Sequence, residues 1–150
     1  MSMGKYFEEF EIGDKGEGNS ITITEAHLVV FGSITGDFNA LHFDEETAKK
    51  GLFGGRIAHG LFILSLASAS LADPVQKTVI GNMGISAKFK APSRLGDTIT
   101  ARWEVTNKQL RKRDGIVTFT QHCVNQRGEV VMEGEQHLLI ALKNPPAPVK

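Results

Sequence analysis

Ala58-His59-Gly60-Leu61-Phe62-Ile63-Leu64-Ser65-Leu66-Ala67-Ser68-Ala69-Ser70-Leu71-Ala72 is the stretch that decides the fold. Apart from His59 it is apolar or small throughout. Apolar residues on every side of a helical wheel predict a helix buried all round. Ala67, Ser68, Ala69 and Ser70 let a sheet approach it closely, and Asp73-Pro74 stops it. The run is too short and too interrupted to span a bilayer.

Downstream the remainder reads as β. Val79 to Lys90 reads as a long strand with a glycine-rich first half. Thr98 to Thr106 alternates, with Ile99, Ala101, Trp103 and Val105 on one face. Ile116 to Asn125 alternates again and carries Cys123 as a packed strand residue. Asn125-Gln126-Arg127-Gly128 is a hairpin turn, Val130 to Leu142 the last strand, and Asn144 onward a loose Pro-rich end. One buried helix followed by long antiparallel strands implies an α+β sheet curled around a helix, in a single domain over residues 1–150.

Upstream, Tyr6, Phe7, Phe10 and Ile12 form a lead-in ended by Gly13-Asp14. Ile21 and Ile23 suggest a short strand. Thr24 is an N-cap, and a helix carrying Leu28, Phe31 and Ile34 runs to Gly36, where glycine permits a left-handed stop. Asp44 to Lys50 reads as a short surface helix with acids first and bases last. Gly51, Gly54 and Gly55 make a loop for tight backbone passage; neither a preceding strand nor a Gly-Lys-Ser/Thr follows the phosphate-loop pattern.

Seventeen basic and seventeen acidic residues cancel, which gives no electrostatic case for nucleic acid or an anionic membrane surface. The N-terminal residues Met1 to Phe10 lack the basic head and apolar run of a signal peptide. The one cysteine has no partner for an internal disulfide. The expected setting is cytoplasmic.

The chemistry sits in Thr35-Gly36-Asp37-Phe38-Asn39-Ala40-Leu41-His42. A carboxylate and an imidazole this close, on a loop pinned by Gly36, can hold one water between them. The same residue types also make an ordinary turn after a helix C-cap. A second stretch, Arg56-Ile57-Ala58-His59-Gly60-Leu61-Phe62, follows about twenty residues on, a helix-to-loop spacing compatible with one site. His27, His122 and His137 have no acidic or thiol partner at ligand spacing, so no metal is expected. Lys108, Arg111, Lys112 and Arg113 form a basic run between two strands, most simply a solvated hairpin end.

Together the two stretches resemble the MaoC-like family of hydratases and dehydratases. There a Gly-Asp-x-Asn-Pro-x-His loop precedes a His-Gly turn that opens a buried helix. Phe89, Pro92, Gly96 and Asp97 fit a further pattern of that family, so the resemblance covers nearly the whole chain. Ala40 stands where the family has Pro, which loosens the turn and removes no reactive group.

The resemblance implies a hot-dog fold and an (R)-specific enoyl-CoA hydratase acting on trans-2-enoyl thioesters, or the reverse dehydration. It makes Asp37 and His42 the catalytic pair and Gly60 the backbone donor to the thioester oxygen, or else a packing glycine. Asn39 braces the loop or the thioester environment. Ser68 either lines the acyl pocket or only packs, and His59 is a packing or capping residue beside Gly60. The expected partners are an acyl-CoA substrate, further copies of the chain in a homodimer or higher homo-oligomer, and an acyl carrier protein as an alternative thioester carrier, with no cofactor; the basic run from Lys108 to Arg113 is also a candidate contact for CoA phosphates or such a carrier protein. A hot-dog thioesterase and a non-catalytic acyl-thioester binding module remain open.

Overall fold

The computed structural model describes residues 3–146; the last four residues of the Pro-rich end lie outside this range. A single 3-10 turn at Phe7–Glu9 leads in. Then come β1 (Lys15–Glu17), β2 (Ile21–Thr22), α1 (Glu25–Thr35), α2 (Ala40–Phe43), α3 (Glu45–Lys49) and α4 (Gly60–Ala69). Four long strands complete the chain: β3 (Val79–Phe89), β4 (Thr98–Leu110), β5 (Asp114–Val124) and β6 (Val130–Ala141). The sheet runs β1-β4-β5-β6-β3, with β2 also pairing β4. All pairings are antiparallel, and α4 packs against β4, β5 and β6. This is the hot-dog arrangement, an antiparallel sheet wrapped on a central helix.

The inward faces follow the alternation. Ile99, Ala101 and Val105 of β4, Val117, Phe119 and Cys123 of β5, and Met132, Leu138 and Ile140 of β6 are all buried. They divide into two apolar clusters. One surrounds Ile63 and Ala67 of α4, and the other joins Phe7, Phe10, Leu71 and Phe119. Polar side chains tie α4 to the sheet as well. Gln121 donates to the Ala67 carbonyl at 2.6 Å, and Cys123 lies 3.7 Å from the Ile63 carbonyl. Burial pushes the Cys123 thiol up to about 12, so it is an apolar packing group.

The structure corrects four local expectations. Helix α4 is shorter than Ala58–Ala72 and is not buried all round. Leu61 is 61% exposed, and Ser65 and Ala69 are exposed in line with it. The sheet curls around one side only, so a composition apolar on every side still leaves an i, i+4, i+8 stripe outward. Helix α2 lies inside what reads as a loop, because four residues are too few to show a helical period. Strand β1 is likewise too short to alternate. Ile34, expected on the inward stripe of α1, is 78% exposed, while Leu28 and Gly32 face in.

Candidate active site

Helix α1 delivers the reactive loop. Gly36 adopts φ 78°, the left-handed cap that glycine takes without a Cβ clash, and its N–H closes on the Gly32 carbonyl. Gly32 lets this turn fold back. A Cβ there would sit 3.0 Å from the Phe43 ring and 3.2 Å from the Asp37 carbonyl. The next turn is held by short-range bonds. Asp37 Oδ1 accepts from Asn39 N at 3.3 Å, and Asn39 Oδ1 accepts from Leu41 N at 3.0 Å, which makes Asn39 the N-cap of α2. Ala40 is the first residue of α2, a position where proline is also at home because its missing N–H would be unpaired anyway.

Helix α2 turns His42 inward, to 8% exposure. Its Nδ1 meets the Ile57 carbonyl at 2.8 Å. A carbonyl only accepts, so Nδ1 carries the hydrogen, and in the neutral ring Nε2 presents a bare lone pair. That lone pair faces Asp37 Oδ2 at 3.9 Å. Two acceptors at this separation suit one water donating an O–H to each.

His59 completes the cluster from the start of α4. It is 2% exposed, stacks on His42 with ring centroids 3.9 Å apart, and also contacts the rings of Phe31 and Phe43. It makes no side-chain cap on α4; instead its Nε2 donates to the Asp37 main-chain carbonyl at 2.9 Å. Asp37, His42 and His59 each offer a donor atom within 4.8 Å of the others, a set of metal-ligating types. His59 Nε2, however, carries the hydrogen it gives to Asp37. The bare groups facing each other, with a neutral His42, are Asp37 Oδ2 and His42 Nε2, two acceptors that can hold one water between them.

Gly60 opens α4, and among the described residues its N–H and that of Leu61 have no hydrogen-bond partner. Both line a cavity of about 460 Å³, together with His42, Ile57, Phe89 and Val131. Its wall is mainly apolar. The Phe89 ring stands over Gly60, 3.0 Å from where a Cβ would be. Ser68 lies away from this cavity, bonded to Gln136 Nε2 at 3.1 Å.

Arg56 plays a part that its sequence position did not disclose. Its guanidinium grips both Glu25 oxygens, at 2.9 and 2.7 Å, pairs with Glu45 at 3.4 Å and reaches the His42 carbonyl at 3.4 Å. One side chain thereby joins α1, α2 and α3 around the reactive loop. The hydrogen bond to Glu25 raises Arg56 further above its ordinary range and holds Glu25 below the usual carboxylate value. Arg56 was visible as part of the second stretch, but nothing local pairs it with a residue 31 positions upstream.

The basic run is not at this site. Leu110 pairs Gly115, which pairs Ile140, which pairs Val79, so the β4–β5 hairpin lies at the Val79 end of the sheet. Gly60 meets Phe89 at the opposite end. Lys108 is occupied by the Phe10 carbonyl and the Phe7 ring, and Arg111 pairs with Asp114. Lys108 therefore covers the second apolar cluster, and the cavity wall carries Lys90, paired with Glu133 at 3.2 Å.

Comparison with known proteins agrees with this architecture. Residues 9–126 match the model of the MaoC like domain. An (R)-specific enoyl-CoA hydratase of Rhodospirillum rubrum is 35% identical over 137 residues, covering 90% of this chain and 91% of that protein. A 3-hydroxybutyryl-CoA dehydratase of Methylorubrum extorquens is 33% identical over 144 residues, covering 96% and 89%. The X-ray structure of a monoamine oxidase regulatory protein from Archaeoglobus superposes with a TM-score of 0.89 at 37% identity, covering 95% of this chain and 98% of that one. The chain belongs to the MaoC-like family and is a hydro-lyase of its hydratase and dehydratase type.

Proposed function

We propose that the chain is an (R)-specific enoyl-CoA hydratase, adding water reversibly to trans-2-enoyl-CoA to give (R)-3-hydroxyacyl-CoA. The carrying observation is the pair of bare acceptors, Asp37 Oδ2 and His42 Nε2, 3.9 Å apart in the cluster that also supplies the wall of an apolar cavity. A water bridging them donates one O–H to each. Asp37 takes a proton as the water oxygen attacks C3, while His42 Nε2 orients that water. Negative charge passes to the thioester oxygen, where the Gly60 N–H is free to stabilise it. The proton removed from the water returns to C2 from the same pair. Hydroxyl and hydrogen both come from the Asp37–His42 side, so addition is syn. The steps balance without a resident metal or cofactor. Asn39 braces the loop and His59 supports the pair. Ser68, bonded to Gln136, is a packing residue in this reading.

The reading includes a homodimer. Strand β3 is a sheet edge of eleven residues with Val79, Ile80, Met83, Ile85 and Phe89 all 38–56% exposed, and it is the strand that places Phe89 at the cavity. An apolar, unpaired edge of this length is the kind that proteins cover. Particle mass by light scattering tests it; a fully active monomer would contradict it. A cytoplasmic setting belongs to the same proposal. Among the described residues no helix is long and apolar enough to cross a membrane.

The decisive assay follows loss of the enoyl-thioester absorbance of crotonyl-CoA, with chiral analysis of the product. An (R)-3-hydroxybutyryl thioester supports the proposal, and the same assay on a crotonyl acyl-carrier-protein ranks the two carriers. Free CoA without a hydroxyacyl product would make the chain a thioesterase. Binding without turnover would make it a binding module.

A further inference from the structure

His59 is more constrained than packing requires. Its Nε2–H is given to the Asp37 carbonyl, which in the neutral ring leaves Nδ1 as a lone pair, and among the described residues that buried atom has no partner. A buried acceptor without a donor is destabilising, whereas an apolar ring in the same space carries no such penalty. The surroundings, Phe31, Phe43 and the face of His42, would accept such a ring. Packing alone therefore does not account for an imidazole here.

The contact that the imidazole makes is with the residue whose carboxylate matters. Asp37 is otherwise lightly held. Its side chain is 49% exposed, its N–H reaches Thr35 Oγ1 at 3.3 Å, and its Oδ1 accepts from Asn39 N at 3.3 Å. The His59 bond, at 2.9 Å, is the shortest of these and comes from the buried side. Its ring also lies on His42 with an interplanar angle of 29°, which restricts rotation of that imidazole. We propose that His59 is a positioning residue: its Nε2–H fixes the Asp37 peptide and its ring fixes the His42 plane, so that Oδ2 and Nε2 stay matched to one water. The proposal rests on the hydratase reading above.

Three variants separate this from a structural role. His59→Phe keeps a ring for the stack and removes both the donor and the orphan acceptor. It should melt at or above the wild-type temperature, while kcat falls about ten- to a hundred-fold with KM unchanged, the scale of a displaced reacting group. His59→Gln places an N–H near the Nε2 position and should recover much of kcat. His59→Leu replaces Phe if that variant does not fold. In wild type, ¹⁵N NMR should show His59 protonated at Nε2 and bare at Nδ1. The inference fails if the apolar variant turns over as fast as Gln and wild type. It also fails if rates merely track melting temperature, if neither apolar variant folds, or if Nδ1 carries the proton. A wild type that does not hydrate crotonyl-CoA would overturn the hydratase reading instead, and the tautomer would still report on the His59 contact.

Discussion

At the N-terminal end of α4, the first two amides are unpartnered among the described residues, two imidazoles stack, and a cavity opens beside Gly60. At its C-terminal end the Ser70 amide reaches back to both Leu66 and Ala67, and the Ser70 hydroxyl bonds Ala67 as well. Beyond it Phe10, Phe119 and Trp103 meet edge to face, at centroid distances of 5.5 and 5.7 Å. Both ends are drawn from the same small and apolar residues. One leaves backbone groups and lone pairs available, and the other satisfies or encloses them. The proposed site and the cohesive aromatic packing thus lie at opposite ends of one helix.

Removing the reactive groups should break this contrast most sharply. Asp37→Asn and His42→Ala should each lower crotonyl-CoA hydration about a hundred- to ten-thousand-fold. Asp37→Asn should nearly keep the melting temperature, whereas His42→Ala also loses a buried ring and its bond to the Ile57 carbonyl and should melt lower. Turnover close to wild type in Asp37→Asn would take that carboxylate out of the mechanism.

Next comes the backbone donor. Gly60→Pro deletes the free N–H at the first position of α4, where proline is accommodated, and His59 already has the extended backbone that proline asks of its predecessor. A loss of about a hundred- to a thousand-fold in kcat is expected. Gly60→Ala keeps the N–H and presses a methyl on Phe89, whose half-exposed ring has room to yield, so it should lose less. Equal rates in folded Pro and Ala variants would reduce Gly60 to a packing residue.

The far end should respond in the opposite sense. Phe119→Ala should cost about 3–5 kcal/mol of stability, read by denaturant titration, with kcat of the folded fraction nearly unchanged. A large kcat loss at full folding would mean that the two ends are coupled.

The smallest effect concerns pH. Burial by itself would raise the Asp97 carboxyl, but hydrogen bonds from Arg94 N, Gln126 and Arg127 outweigh it and hold the carboxyl below 3.8. A carboxyl depressed in the folded state contributes stability that is present above its ordinary value and is lost as pH falls through the lower native value. Asp97→Asn should flatten the acid limb of a stability profile below about pH 4. An unchanged limb would remove Asp97 from acid unfolding.

Much of this architecture was legible from near-neighbour physics. Thr24 and Gly36 bracket α1, the period-two runs mark β4 and β5, and six residues suffice to bring Asp37 and His42 into one short segment. These signals are local because backbone geometry, capping and alternation depend on residues a few positions apart. Tertiary structure decided what those residues can do. The bare nitrogen of His42 follows from the Ile57 carbonyl, 15 positions away, and the hold on Asp37 comes from His59, 22 positions away. Arg56 finds Glu25 across 31 positions, and the exposed stripe of α4 follows from a sheet that wraps one side only. The direction of a hydrogen bond and the side of a helix that meets solvent depend on atoms the chain topology brings in from afar, so no periodicity within the sequence encodes them.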